Sequence, residues 1–137
     1  MPEQRLDIAT VDGVADSYLA LPEGEPRGGV LFLVDIYGVR PRTEEMAQRI
    51  ASGGYAVLVP NVFYRAGRAP VLEMPGSKDA ESRAAFFEQV KPLIAALTAE
   101  ALASDGAAYL DALAEHAPGR AVLDGYCMGG RLAWRIA

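Results

Sequence analysis

The segment Gly125-Tyr126-Cys127-Met128-Gly129-Gly130 sets the single cysteine of the chain between glycines two residues away on either side. Arg120-Ala121-Val122-Leu123-Asp124, which precedes it, has strand character. Arg131-Leu132-Ala133-Trp134-Arg135-Ile136, which follows, is helical in pattern. The central residue of such a strand-to-helix turn is forced into a sharp bend, and glycines on both sides let the two backbones pass closely. Cys127 should then project above the carboxyl edge of a sheet, at a helix N-terminus. There the helix dipole and free N–H groups favour a thiolate and can bind an oxyanion. This is the position of a nucleophile. The spacing of Gly125, Gly129 and Gly130 does not match G-x-G-x-x-G, so no dinucleotide is expected. Two other readings of the thiol stay open: an inert core thiol, for which the glycines are unnecessary, and a redox sensor.

The elements that must position this turn alternate between strand and helix. Residues 6–10 and 14–21 about Asp12-Gly13 read as a hairpin. Residues 29–34, Gly-Val-Leu-Phe-Leu-Val, are continuously apolar, as in a strand covered on both faces of a parallel sheet. Thr43 can cap a helix with Glu44 and Glu45 in its first turn and Gly53-Gly54 as its stop, and residues 55–60 form the next buried strand. Residues 61–78 are rich in Gly and Pro and read as a long surface excursion, in which Tyr64, Arg65 and Arg68 are taken as loop rather than substrate lid. Helical patterns follow over 79–90 and 92–115, with Pro92 in a first turn and Ser104-Asp105-Gly106 as a weak point. Phe86, Phe87 and Trp134 are expected in the core. A third parallel strand, 120–124, leads to Cys127.

Composition narrows the function further. At 137 residues the chain is expected to form one α/β domain. Thirteen Lys and Arg against eighteen Asp and Glu give a net charge of −5 with the basic residues scattered, which makes nucleic acid an unfavoured partner. The apolar runs fall far short of the ~20 residues of a membrane span, and the start Met1-Pro2-Glu3-Gln4-Arg5 has no signal-peptide character, so a cytoplasmic location and no membrane contact are expected. One Cys and one His, His116, cannot build a structural zinc site. No metal or other cofactor is expected.

The cysteine turn, together with Asp35-Ile36-Tyr37-Gly38-Val39 after the first buried strand and Val59-Pro60-Asn61-Val62-Phe63-Tyr64 after the second, resembles the dienelactone hydrolase (carboxymethylenebutenolidase) family. The likeness extends over nearly the whole chain. It implies a three-layer α/β-hydrolase fold with a mostly parallel sheet and a small-molecule ester or lactone as substrate. Cys127 would be the nucleophile, with a thioacyl intermediate and an oxyanion hole from the backbone N–H groups of Met128 and Ile36. The family usually has glutamate where this chain has Asp35, beside the resting thiol; the shorter side chain makes Asp35 a modulator of Cys127. Arg83 is the matching candidate for a substrate carboxylate.

In α/β-hydrolases the triad acid and histidine follow the nucleophile. None of the ten residues after Cys127 is Asp, Glu or His. His116 precedes the strand leading to Cys127, about 17 to 20 Å away along it, too far for proton transfer. The apolar helix 132–137 has no C-cap signal. The expectation is therefore an N-terminal portion of a hydrolase, ending after the nucleophile turn and inactive alone, whose last strand is an exposed edge open to self-association. A non-catalytic α/β module pairing through that edge is the rival reading.

Overall fold

The structure, a computed structural model, describes residues 3–137. The hairpin pairs β1 (Glu3–Thr10) with β2 (Gly13–Ala20), antiparallel from Glu3 opposite Ala20 to Thr10 opposite Gly13. Next come β3 (Gly29–Leu33), α1 (Pro41–Ala51), β4 (Ala56–Pro60), a short 3₁₀ turn (Tyr64–Ala66), α2 (Ala80–Ala95), α3 (Ala99–Ala114), β5 (Ala121–Gly125) and α4 (Met128–Ile136). The five strands form one sheet in the order β1-β2-β4-β3-β5; β3 runs parallel to β4 and β5, and β2 antiparallel to β4.

Successive residues of a strand face opposite sides of the sheet. Every residue of β3 and β4 is buried, so both faces of the centre are covered. Helix α1 lies on β2 and β4; α3 lies on β1, β3 and β4, with α4 beside it on β3 and β5. Helix, sheet and helix make the three layers of an α/β-hydrolase fold. No single helix among the described residues is long and apolar enough to cross a membrane.

The helix boundaries depart from the sequence reading in three places, each for a physical reason. Helix α1 begins at Pro41, whose fixed φ suits a first helical position, and Thr43 sits two residues inside it. Its hydroxyl there still serves the helix start, accepting from the Arg40 N–H at 3.0 Å and lying 2.9 Å from the Arg40 carbonyl. Pro92 lies within α2, not at the start of a helix. The break falls instead at 96–98, where Thr98 accepts from the Ala101 N–H and caps α3. Ser104-Asp105-Gly106 does not interrupt α3. Asp105 is buried against an arginine, and a Cβ at Gly106 would lie 2.9 Å from Cγ2 of Ile136, so tertiary contacts account for both residues. Of the aromatics expected in the core, Phe86 is buried, but Phe87 is 48% exposed and Trp134 85% exposed. Helical spacing gives a residue's angle about the axis and says nothing of what covers that side.

Candidate active site

The peptide enters the turn after β5 at Gly125 and leaves it as α4. At Cys127 the backbone has φ 57° and ψ −116°, the sole positive φ outside glycine among the described residues. A side chain in this region is strained by about 1–3 kcal/mol and persists only where its surroundings impose it. Here the glycines do so. A Cβ on Gly125 would overlap the Gly129 carbonyl and come within 2.6 Å of the Gly130 nitrogen. A Cβ on Gly129 would overlap the Leu33 carbonyl oxygen and lie 2.6 Å from that of Val34. The turn is closed by N–H bonds from Gly129 to the Tyr126 carbonyl at 2.9 Å and from Gly130 to the Cys127 carbonyl at 3.1 Å. The Cys127 side chain is free and exposed at the start of α4. Beside it, the Tyr126 hydroxyl is held above the ordinary tyrosine pKa, first by burial and then by the Asp124 charge.

Because Gly129 packs on the carbonyls of Leu33 and Val34, the end of β3 and the loop after it lie against the turn. Among the described residues neither the Ile36 N–H nor the Met128 N–H donates to a protein acceptor. The loop is organised by charge. Asp35 accepts from the Tyr37 N–H at 3.0 Å, and its two carboxylate oxygens receive Arg40 Nη1 at 2.7 Å and Nη2 at 2.9 Å. Arg40 Nη1 also reaches the Gly38 carbonyl at 2.9 Å, and the guanidinium lies 5.3 Å from the centre of the Tyr37 ring. The carboxylate expected to modulate the thiol is thus bound by an arginine that sequence reasoning did not connect with it.

A cleft of about 460 Å³ opens beside Cys127, lined by Leu97, Thr98, Met128, Leu132, Arg131 and Arg135 among others. Arg83 is exposed on the first turn of α2 and is not among the residues lining this cleft. Arg131 and Arg135 were missed, although their signal was present: positions 127, 131 and 135 recur every four residues and so share one helix face. His116 lies between α3 and β5, at the end of β5 opposite Cys127. Among the described residues no three His, Cys, Asp or Glu side chains gather to hold a metal ion.

The excursion is anchored away from the thiol. Asp105, 1% exposed, accepts from the Tyr64 hydroxyl at 2.8 Å and from Arg65 Nη1 at 2.8 Å. Burial works against the Arg65 charge, but its bonds to Asp105 and Asp12 outweigh this and hold its pKa above the ordinary arginine value. Tyr64 and Arg65 are thus structural here, in keeping with the reading that made them loop.

Residues 15–137 match the model of the Dienelactone hydrolase family. The chain belongs to that family. It is 31% identical over 130 residues to "Carboxymethylenebutenolidase" of Pseudomonas sp. (strain P51), covering 88% of this chain and 49% of that one. It is 27% identical over 124 residues to "Carboxymethylenebutenolidase 1" of Cupriavidus pinatubonensis, covering 88% of this chain and 50% of that one. This dienelactone hydrolase family chain thus spans about half the length of these curated relatives. A crystal structure from Klebsiella pneumoniae subsp. pneumoniae MGH 78578 superimposes on 99% of it with a TM-score of 0.79 at 21% identity, over 54% of its own length. The dienelactone hydrolase of Anabaena variabilis ATCC 29413 does so with 0.65 at 17% identity, over 56% of its length. These likenesses establish the α/β-hydrolase fold.

Proposed function

We propose that the protein hydrolyses a small carboxylic ester or lactone with Cys127 as nucleophile. The Cys127 thiolate adds to the substrate carbonyl, and the resulting oxyanion is received by the N–H groups of Met128 and Ile36. Collapse expels the alcohol oxygen, which takes up a proton, and leaves a thioester on Cys127. Water then adds to the thioester, releasing the acid and restoring the thiol. The observation that supports this reading is the strained backbone of Cys127 between two glycines that tolerate no Cβ, a geometry without purpose for an inert thiol. Asp35 would act on the reaction at Cys127 through the loop it organises, by holding the Ile36 N–H in place for the oxyanion, and Arg83, away from the cleft, is the least supported substrate contact.

Deacylation needs a general base within about 3 Å of the attacking water. The one imidazole of these 137 residues is at the far end of β5, so by themselves they should acylate without turning over. The test is p-nitrophenyl acetate with the complete protein: Cys127→Ala should lower turnover by at least about 10³-fold. Undiminished turnover would remove Cys127 from the mechanism.

A second reading rests on exposure. Val122 is 63% exposed on β5, and β5 pairs only with β3 among the described residues. Two copies of β5 meeting antiparallel about Val122 would set each Arg120 opposite Asp124, a self-complementary edge. The 137-residue chain is expected to dimerise in light scattering, and Val122→Lys to return it to monomer. A monomer at high concentration would refute this pairing.

A further inference from the structure

We propose that Arg40 is a positioning residue for the oxyanion-binding loop, acting through Asp35 and the Gly38 carbonyl; this deepens the thiol-hydrolase reading and rests on it. The side chain reaches back from the N-cap of α1 across the whole loop. Its fork grips both oxygens of Asp35, at 2.7 and 2.9 Å, and the Gly38 carbonyl, at 2.9 Å, while its central carbon lies over the Tyr37 ring. The Arg40 backbone is held as well, by the Thr43 hydroxyl at 3.0 Å and by the Glu44 N–H, which donates to the Arg40 carbonyl at 3.0 Å. A planar guanidinium bonded at three points is far more restrictive than an ammonium would be. Asp35 in turn accepts from the Tyr37 N–H, and its own carbonyl accepts from the Gly38 N–H at 3.1 Å.

Ile36 sits at the centre of this arrangement. Every hydrogen bond just named belongs to the residues around it, while its own N–H is left without a protein acceptor. An oxyanion donor is effective only if it is already aimed before charge develops, since reorganisation during the reaction forfeits the advantage. Gly38, at φ 78°, has no Cβ to restrict its own backbone, so the conformation of the loop has to be fixed by its neighbours. The Arg40 side chain is 18% exposed and that of Asp35 24%. The pair is neutral overall and turned inward onto the loop, which fits a brace rather than a proton donor or acceptor.

The experiment compares two reactions of the same thiol. p-Nitrophenyl acetate acylates Cys127 through a tetrahedral oxyanion and releases p-nitrophenolate. Iodoacetamide alkylates it by direct displacement of iodide and makes no oxyanion. The double variant D35N/R40Q keeps the net charge of the pair, so the field at the thiol is preserved while the bidentate grip is lost. Acylation should fall by about 10- to 100-fold with alkylation changed by less than about twofold. Arg40→Lys, which keeps the charge without the fork, should fall between wild type and the double variant and serves if the latter does not fold. Unchanged acylation, or a parallel fall in both reactions, would overturn the proposal. Amide hydrogen exchange supplies an independent readout: Tyr37 and Gly38 should exchange faster in the variants, with Leu31 and Leu58 unaltered. Should the wild type acylate no faster than free cysteine, the hydrolase reading fails and exchange alone decides; unaltered Tyr37 and Gly38 amides would then dispose of the brace too.

Discussion

Strands β3 and β5 lie side by side in parallel register, Gly29 to Leu33 against Ala121 to Gly125, and each delivers the chain to a turn and then a helix. Beyond that they differ in how the turn is held. After β3 the chain is fixed by side chains, Asp35, Arg40 and Thr43, and the strand itself is buried throughout. After β5 the turn is fixed by the absence of side chains, Gly125 and Gly129 allowing backbone to meet backbone, and the strand is half uncovered. A turn built from side chains can be adjusted by degrees. One built from missing Cβ atoms has almost no tolerance, and it is there that the reactive thiol is placed.

The contrast can be broken most severely where the two regions touch. Gly129→Ala drives a methyl group into the Leu33 carbonyl, with no flexible side chain to move aside, and should cost about 4 kcal/mol or more in urea unfolding. The neighbouring Gly130→Ala meets nothing nearer than 3.5 Å, and removing a helical glycine there should stabilise by about 0.5 kcal/mol. If both substitutions were neutral, the tight turn would not be the constraint described.

Next in size is the difference between the strands. Leu31→Ala in β3 should cost about 3 kcal/mol, whereas Val122→Ala, on the exposed side of β5, should stay within about 0.5 kcal/mol in the monomer. Equal losses would mean that β5 is covered after all.

The last effect shows only at high pH and concerns a buried hydroxyl of β2. Tyr18, 1% exposed, bonds to Glu3 and Gln48, and burial pushes its pKa from 10.0 up to about 12. The folded state thus favours the neutral phenol. Its contribution is whole below pH 10, where neither state is ionised, and is lost between pH 10 and about 12 as the unfolded chain ionises first. The urea midpoint of the wild type should fall over that interval more than that of Tyr18→Phe.

Much of this architecture was legible because its signals are local. The continuous apolar runs at β3 and β4, the hairpin signal at Asp12-Gly13 and the glycines about Cys127 each state their role within a few residues, although the hairpin turn falls one residue earlier, at Val11-Asp12, with Gly13 already paired to Thr10. What escaped depends on partners far along the chain. Asp105 looks like a helix weakness until Arg65, forty residues earlier, is seen to neutralise it. Arg40 is one more scattered arginine until Asp35 is seen to accept both arms of its fork. Trp134 has the spacing of a core residue and is almost wholly uncovered, because patterning cannot report what lies opposite.

The backbone of Cys127 has a consequence for how the sequence changes over generations. Since φ 57° suits glycine better than cysteine, the substitution that would make this turn most comfortable is the one that removes the thiol. Drift toward greater stability and drift toward loss of chemistry therefore point the same way at this position. Selection for stability alone would place glycine at residue 127, and only selection for what the thiol does can hold cysteine there.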